Sequence, residues 1–453
     1  MPPEGPAGLL EFVAGSEPWF RSNLRTLVEH KTVSPGATSD TDIRAGAEVA
    51  ATLFREAGGH AELVECSGTP SVLARFSHPS PKARVAIYNH LDVQPADAST
   101  WTQADPFAFE VHEHPERDFL YRGRGSTDDK GPGLCGLRAA QWAAQQKLPI
   151  EIFLLWETEE EIGSPNFHEI VERKRDVLGS CDCVIVSDTI WPSDAQPAIS
   201  TGLRGSLQAI FRLRTGNKDT HSGLTGGVAR NPIKELCALA VAIERAGFWK
   251  EGVVQPSTAE VESFVGAGFD PAYFRRAHDL TKLQTEIPLE MMLRLWTRPT
   301  FEVHGLVGGY TGPGVKTAVP PAAELKVSFR LVPEQKPHEV AEQLGHFVRA
   351  AAPDVEIEIT GYLDPYRGTT TGPVHEAIAE ALTAATGRAP VSIREGGSIG
   401  AVPILADRLG VPIHFLPLSL PDHGYHAPNE YFDWRQARVG IEAFGRVFST
   451  LAS

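Results

Sequence analysis

Four apolar runs in this chain end at residues able to bind metal. They are ARVAIYNHLD (83–92), IEIFLLW continuing into ETEEE (150–161), CDCVIVSD (181–188), and VPIHFLPLSL continuing into PDHGYHAPNE (411–430). Strands with no polar alternation must be buried on both faces. Helix-like stretches such as GPGLCGLRAAQWAAQQKL (131–148) lie between them. Strands alternating with helices predict an α/β domain with a mostly parallel, doubly covered sheet. Sites in such sheets form at the carboxyl ends of the strands. His90, Asp92, the acids of 157–161, Asp188, His423 and His426 can therefore meet although they are far apart in sequence.

The second run delivers Glu157, Glu159, Glu160 and Glu161 together. Crowded carboxylates raise one another's pKa, or they stay ionised around a cation, so a metal site is the first expectation. His90 and Asp92, two apart on a strand, share a face. The carboxylate can then orient the imidazole while its other nitrogen binds metal. GRGSTDDKGP (123–132) joins a Gly-rich turn to a helix start and presents Asp128 and Asp129. Alone it reads as an N-cap and a turn. Beside the other acids and histidines, it supplies candidate ligands.

A chain of 453 residues is too long for one compact core. The middle has a different texture. RGSLQAIFRLRTG (204–216), AELKVSFRLVPE (323–334) and DVEIEITGY (354–362) alternate apolar with polar residues, and NPIKELCALAVAIERAG (231–247) and KPHEVAEQLGHFVRAAA (336–352) read as amphipathic helices. These predict an inserted α+β lid and dimerisation domain over 204–362, between catalytic halves 1–203 and 363–453. Residues 248–310 carry no clear periodicity.

The formal net charge of −15 argues against nucleic-acid backbones and anionic membranes as partners. MPPEGPAGLLEFVAGSEPWF has acids and prolines where a secretory signal has a basic and an apolar region, and no run reaches membrane-spanning length. A cytoplasmic location is expected. The five cysteines form no CxxC pair and are expected to be reduced thiols in or near the core.

HLDVQP, GRGSTDDKGP, ETEEEIGS, VSDT, THSG and YHAPNE stand in the order and approximate spacing of the M20 metallopeptidases, with SFRLVPEQKP (328–337) and REGGSI (394–399) also matching. The chain most resembles the dipeptidase branch, the cytosolic nonspecific dipeptidases and carnosinases. The resemblance implies a catalytic α/β domain interrupted by a dimerising lid, and two divalent metal ions, Zn²⁺ or Mn²⁺. It makes His90, Asp128 and Asp188 the ligands of one ion and Asp128, Glu161 and His426 those of the other, with Asp128 bridging. His423 is the spare histidine, because His426 holds the matching place in YHAPNE. Glu160 becomes the general base for a metal-bridging water, with Asp92 supporting His90. Glu157 and Glu159 are supporting or solvated. The 128–129 peptide is expected to be cis, with Asp129 where many relatives have Asn. Thr158 departs from the common Gly without removing a functional group.

The same resemblance implies that His221 stabilises the oxyanion in the partner subunit's site. It also implies that Arg330 holds the substrate's C-terminal carboxylate, with Gly396, Gly397 and Ser398 assisting. Aspartate at 188 resembles the dipeptidase and carboxypeptidase members, whereas deacylating members often carry glutamate. The expected activity is hydrolysis of dipeptides and other short peptides by a homodimer. The alternatives are an N-acyl or N-carbamoyl amino acid amidohydrolase with the same metal centre, and a non-catalytic metal-binding protein that retained the fold.

Overall fold

The structure is a computed structural model describing residues 5–34 and 40–453. Six strands form one sheet in the order His60–Val64, Ser71–Phe76, Ile150–Glu157, Ala83–His90, Cys183–Val186 and Ile413–Phe415. The last four are mutually parallel, and Ser71–Phe76 joins them antiparallel. All four apolar runs are thus strands of one mostly parallel sheet in a mixed α/β fold.

Alternate residues of these strands enter separate cores. Val85, Ile87, Ile152, Leu154 and Ile185 meet Leu134 and Leu137 of the helix Gly131–Gln145, and Ile441 and Phe444 of the helix Trp434–Leu451. Ala86, Tyr88, Phe153, Leu155 and Val184 meet Phe167 and Ile170 of the helix Phe167–Arg173, and Val402 and Leu405 of the helix Ala401–Leu409. Each large apolar side chain buried this way contributes about 1.5–3 kcal/mol, so neither phase of the strand can be polar without loss. The helix Gly131–Gln145 starts with Pro132 in its first turn, where no N–H partner is lost. A Cβ at Gly133 would stand 2.9 Å from the Trp156 ring, so glycine lets the helix lie close to the sheet.

A second, antiparallel sheet has the order Thr300–Gly308, Ala322–Leu331, Gly205–Arg214, Glu356–Leu363. Its alternation is genuine: Leu207, Ala209, Phe211, Leu325, Val327 and Phe329 face a core shared with the helices Pro232–Ala246 and Pro337–Ala351. The aperiodic stretch holds the short helices Thr258–Gly266, Pro271–Ala277 and Pro288–Trp296, then the edge strand Thr300–Gly308. Phe264, Phe269, Met291, Met292 and Trp296 join the core of the larger sheet, beside Ile393. Helices this short bury too few residues for a 3.6-residue period to show.

Of the cysteines, Cys135, Cys181 and Cys183 are buried and Cys66 is half-buried, while Cys237 is exposed on the helix Pro232–Ala246. Residues 1–4 of the N-terminal stretch lie outside the described residues; the helices Leu9–Ala14 and Glu17–Val28 follow. Among the described residues no helix is long and apolar enough to cross a membrane.

Candidate metal centre

The parallel register brings the strand ends together. His90, the last residue of its strand, lies opposite Glu157, the last residue of the neighbouring one. Asp188 lies just beyond Cys183–Val186, on the other side of Ala83–His90. The turn that carries Asp128 needs glycine: Gly125 has φ 86°, and a Cβ there would meet Val93 at 2.6 Å. The Asp128–Asp129 peptide is cis, as the resemblance implies. His426 sits at φ 53°, a left-handed conformation uncommon for a side-chain-bearing residue.

Two donor groups result, and they share Asp128. His90 Nε2 lies 3.0 Å from Asp128 Oδ1 and 3.7 Å from Asp188 Oδ2. His426 Nε2 lies 3.1 Å from Asp128 Oδ2 and 3.0 Å from Glu161 Oε2. Within each group one donor atom per residue falls within 4.8 Å of the others. His90 Nδ1 lies 2.9 Å from the Asp92 backbone carbonyl, to which it can donate, leaving Nε2 as the ligating nitrogen. The Asp92 carboxylate stands further off, 3.6 Å from Nδ1, and accepts from Ser34 Oγ at 2.6 Å and from the amides of Glu160 and Glu161.

Charge in this cleft is unbalanced. Burial drives the carboxyls of Asp188, Glu160 and Glu161 above the usual range, and their anionic neighbours add to it. Burial likewise pushes Asp129 up to about 8. Burial alone would raise Asp128 as well, but hydrogen bonding to His426 and His90 holds it below the ordinary value. Burial would lower His426, yet Asp128 and Glu161 bring it up to about 11. Among the described residues Asp128 Oδ2 meets only the His426 ring nitrogen, and Asp129 Oδ1 accepts no hydrogen bond. Buried carboxylates that outnumber their cationic partners and keep unsatisfied oxygens fit a divalent cation, and an oxygen-plus-imidazole donor set suits Zn²⁺ or Mn²⁺.

The surrounding acids are held in place. Glu157 is buried, accepts from Tyr88 Oη at 2.6 Å and Ser164 Oγ at 3.1 Å, and is pushed by burial up to about 8. Glu159 accepts from the Thr69 amide and from Asn166 Nδ2, both at 2.9 Å. Both are therefore supporting rather than solvated. His423 has both nitrogens engaged, Nε2 with Asp433 Oδ2 and Nδ1 with Thr127 Oγ1, each at 3.0 Å.

Three contributors escaped the sequence reading. Gln94 donates from Nε2 to Glu161 Oε2 at 2.7 Å. Asn89 donates to Asp129 Oδ2 at 2.7 Å. Glu430 clamps the Asp128 turn, accepting from the amides of Thr127 (2.8 Å), Asp128 (3.1 Å) and Gly125 (2.8 Å). Gln94 and Glu430 lie inside HLDVQP and YHAPNE, so those motifs carried the signal. Asn89, with its side chain on the strand face opposite His90's, had none.

The remaining predicted residues lie elsewhere. His221 is exposed on a two-stranded ribbon pairing Thr220–His221 with Ala318–Val319, and its Nδ1 accepts from the Gly223 amide at 3.0 Å. Arg330, on the central strand Ala322–Leu331, donates to Ser398 Oγ at 3.0 Å. The carbonyls of Gly396 and Gly397 accept from Arg204, through Nε at 2.8 Å and the amide at 3.0 Å.

The chain is similar to known dipeptidases in sequence and in fold. The chain is 29 % identical to the human Beta-Ala-His dipeptidase over 399 residues, 84 % of this chain and 78 % of that protein. It is 27 % identical to the Cys-Gly metallodipeptidase of Schizosaccharomyces pombe over 401 residues, 85 % and 83 % of the two chains. The crystal structure of human carnosine dipeptidase 1 superposes with a TM-score of 0.86 at 25 % identity, covering 99 % of this chain and 100 % of that one. An M20 family metallo-carboxypeptidase from Sulfolobus solfataricus gives 0.84 at 28 % identity, covering 96 % and 99 %. Residues 86–450 match peptidase family M20/M25/M40, a span that contains every residue of both donor groups. By that match the chain is a metallopeptidase and belongs to peptidase family M20/M25/M40.

Proposed function

We propose that the protein hydrolyses dipeptides and other short peptides at a dinuclear metal centre. The observation that carries this reading is the pair of donor groups sharing Asp128, in a chain of this family, with Glu160 preceding Glu161 and both amides held by Asp92. One ion would be held by His90, Asp128 and Asp188, and the other by Asp128, Glu161 and His426. Divalent ions there supply Lewis-acid chemistry, acidifying water and polarising a peptide carbonyl.

The protein's own groups do the rest. Glu160 takes the proton of the attacking water and delivers it to the leaving amine. Among the described residues no protein donor occupies its carboxylate, which leaves both oxygens open to a water and to the leaving amine. Arg330 binds the substrate's C-terminal carboxylate, with Ser398 and the backbone at Gly396 and Gly397 forming the rest of that subsite. Residues 204–362 act as a lid on the catalytic halves 1–203 and 363–453, anchored to them by the helices between Thr258 and Trp296, whose Phe264, Met291 and Trp296 sit in the larger sheet's core; that sheet is covered on both faces.

Two such chains form a homodimer in which His221 serves the partner's site. Support comes from exposed apolar groups on that segment. Val303, Leu306 and Val307 lie exposed on the edge strand Thr300–Gly308, and Val241 is exposed on the helix Pro232–Ala246. Unpaired apolar edges of this kind are normally covered.

The test is a mass-spectrometric screen of a dipeptide library, with acylated and carbamoylated amino acids alongside, run separately with Zn²⁺ and Mn²⁺. Cleavage of dipeptides in preference to the acylated set is expected. Cleavage of the acylated set alone would replace this reading with the amidohydrolase one.

A further inference from the structure

Arg204 lies between the short strand Gly202–Leu203, which pairs with Tyr366–Arg367, and the long strand Gly205–Arg214 of the second sheet. Its residue is 8 % exposed. Nε donates to the Gly396 carbonyl, but Nη1 is buried without any hydrogen-bond partner. Buried arginines are as a rule ion-paired, because an uncompensated buried charge is strongly unfavourable. Among the described residues Arg204 forms no ion pair.

Its neighbour makes matters worse. Arg330 is close enough to repel it, while Glu302, the acid acting on it in the other sense, is itself exposed and not in ion-pair contact. Among the described residues Arg330 also lacks a carboxylate partner, and it spends Nη1 on Ser398. Both guanidiniums line one cavity of about 970 Å³, whose apolar wall includes Trp249, Met291, Leu295 and Phe301. The 396–398 loop joins them, since Arg204 holds Gly396 and Arg330 holds Ser398. The same loop leads back to the metal centre: a Cβ on Gly400 would stand 2.8 Å from the carbonyl of Gly163, two residues after Glu161.

A buried Arg204 and a half-buried Arg330, neither ion-paired among the described residues, stand beside apolar surface and are arranged for two negative charges on a short hydrocarbon frame. We infer that Arg204 is a second anion-binding group next to Arg330, and that the preferred substrates carry two carboxylates on the C-terminal residue, as aspartate or glutamate does. This rests on the dipeptide reading above. Arg330 takes the α-carboxylate, Arg204 takes the side-chain carboxylate, and the methylene groups lie on the apolar wall. An amide of the same shape offers no charge to Arg204 and leaves it unpaired, which is the condition under which binding sites discriminate strongly.

The experiment compares alanyl-glutamate with alanyl-glutamine. Wild-type kcat/KM is expected to favour the acid by about ten-fold or more, as for a site that loses a charge-assisted hydrogen bond. In Arg204→Gln that preference should fall to near unity, with alanyl-glutamate losing about ten-fold or more beyond whatever alanyl-glutamine loses. Arg204→Lys, which keeps the charge, should retain part of it. Equal loss on both substrates would show that Arg204 only supports the loop or the α-carboxylate, and would overturn the inference. Calorimetric binding of free L-glutamate and L-glutamine to the wild-type protein needs neither turnover nor a variant. Tighter binding of glutamate supports the inference, and equal affinity overturns it. Failure to cleave any dipeptide would instead sink the proposed activity, with the binding measurement still deciding for Arg204.

Discussion

Asp92 Oδ2 accepts the backbone N–H of Glu161 at 2.9 Å, while its other oxygen accepts that of Glu160 at 3.1 Å. A residue two places beyond one candidate ligand therefore fixes the backbone of another, and of the candidate proton shuttle. Asp92→Asn can keep at most one of these bonds, because its NH₂ group would face an amide donor. We expect metal affinity to fall about ten-fold or more, as for other groups that orient ligands, with about 1–3 kcal/mol lost in stability. Metal titration followed by calorimetry would check it, and unchanged affinity would refute the positioning role.

Glu160 and Glu161 are adjacent but should separate experimentally. Glu160→Gln is expected to keep near-normal metal content and lose about 10²-fold or more in kcat, as for a missing general acid–base. Glu161→Gln should lose metal first. Elemental analysis showing the same depletion in both variants would contradict the two roles.

A requirement for a free C-terminal carboxylate follows from Arg330. Amidated dipeptides leave that guanidinium without its partner and should lose about 2 kcal/mol or more in transition-state binding. Comparable kcat/KM for free and amidated dipeptides would remove Arg330 from the subsite.

If His221 acts in the partner's site, Glu160→Gln and His221→Ala damage different contributors. Mixing the two variants gives half mixed dimers, each with one intact site, so about a quarter of all sites should recover activity by two-fold symmetry. Confirmed subunit exchange without any gain over the separate variants would place His221 in its own chain's site or in none.

The metal-free protein should lose stability as pH rises. Asp129 and Glu157 are carboxyls whose folded pKa is raised to about 8. Between their ordinary values and about pH 8 the native state binds more protons than the unfolded chain, so unfolding free energy falls with pH in that window. His426, raised to about 11, acts in the same direction above its ordinary value. Divalent cations displace protons from such a site and should bind more tightly at pH 8 than at pH 6. With chelator present, the melting temperature should drop by at least about 2 °C between pH 6 and 8, and added metal should restore more at pH 8. A rise in melting temperature with pH in chelator would refute this.

The sequence made the larger sheet legible because strands buried in both phases read as unbroken apolar runs, and ligands at their ends appear as runs that stop in acid or histidine. The second sheet was legible for the opposite reason, since Leu207, Ala209, Phe211 and Leu213 alternate with polar residues. What stayed hidden depends on contacts between distant segments. Arg204 reads as an ordinary arginine until the fold sets Gly396 against it, and Glu430 reads as the last letter of a motif until its oxygens meet the Asp128 turn. The helices between Thr258 and Trp296 are too short to display a face.

Because His426 comes from beyond the last strand of the larger sheet, while the other donors all precede Gly202, the group with Glu161 cannot close until residue 426 has been made. Synthesis runs from the amino end and domains fold as they emerge. A growing chain can thus gather His90, Asp128 and Asp188 early, yet it has no complete pair of donor groups. A ribosome-bound fragment ending before residue 426 therefore holds only one of the two donor groups, and any chemistry that needs both must wait for that residue.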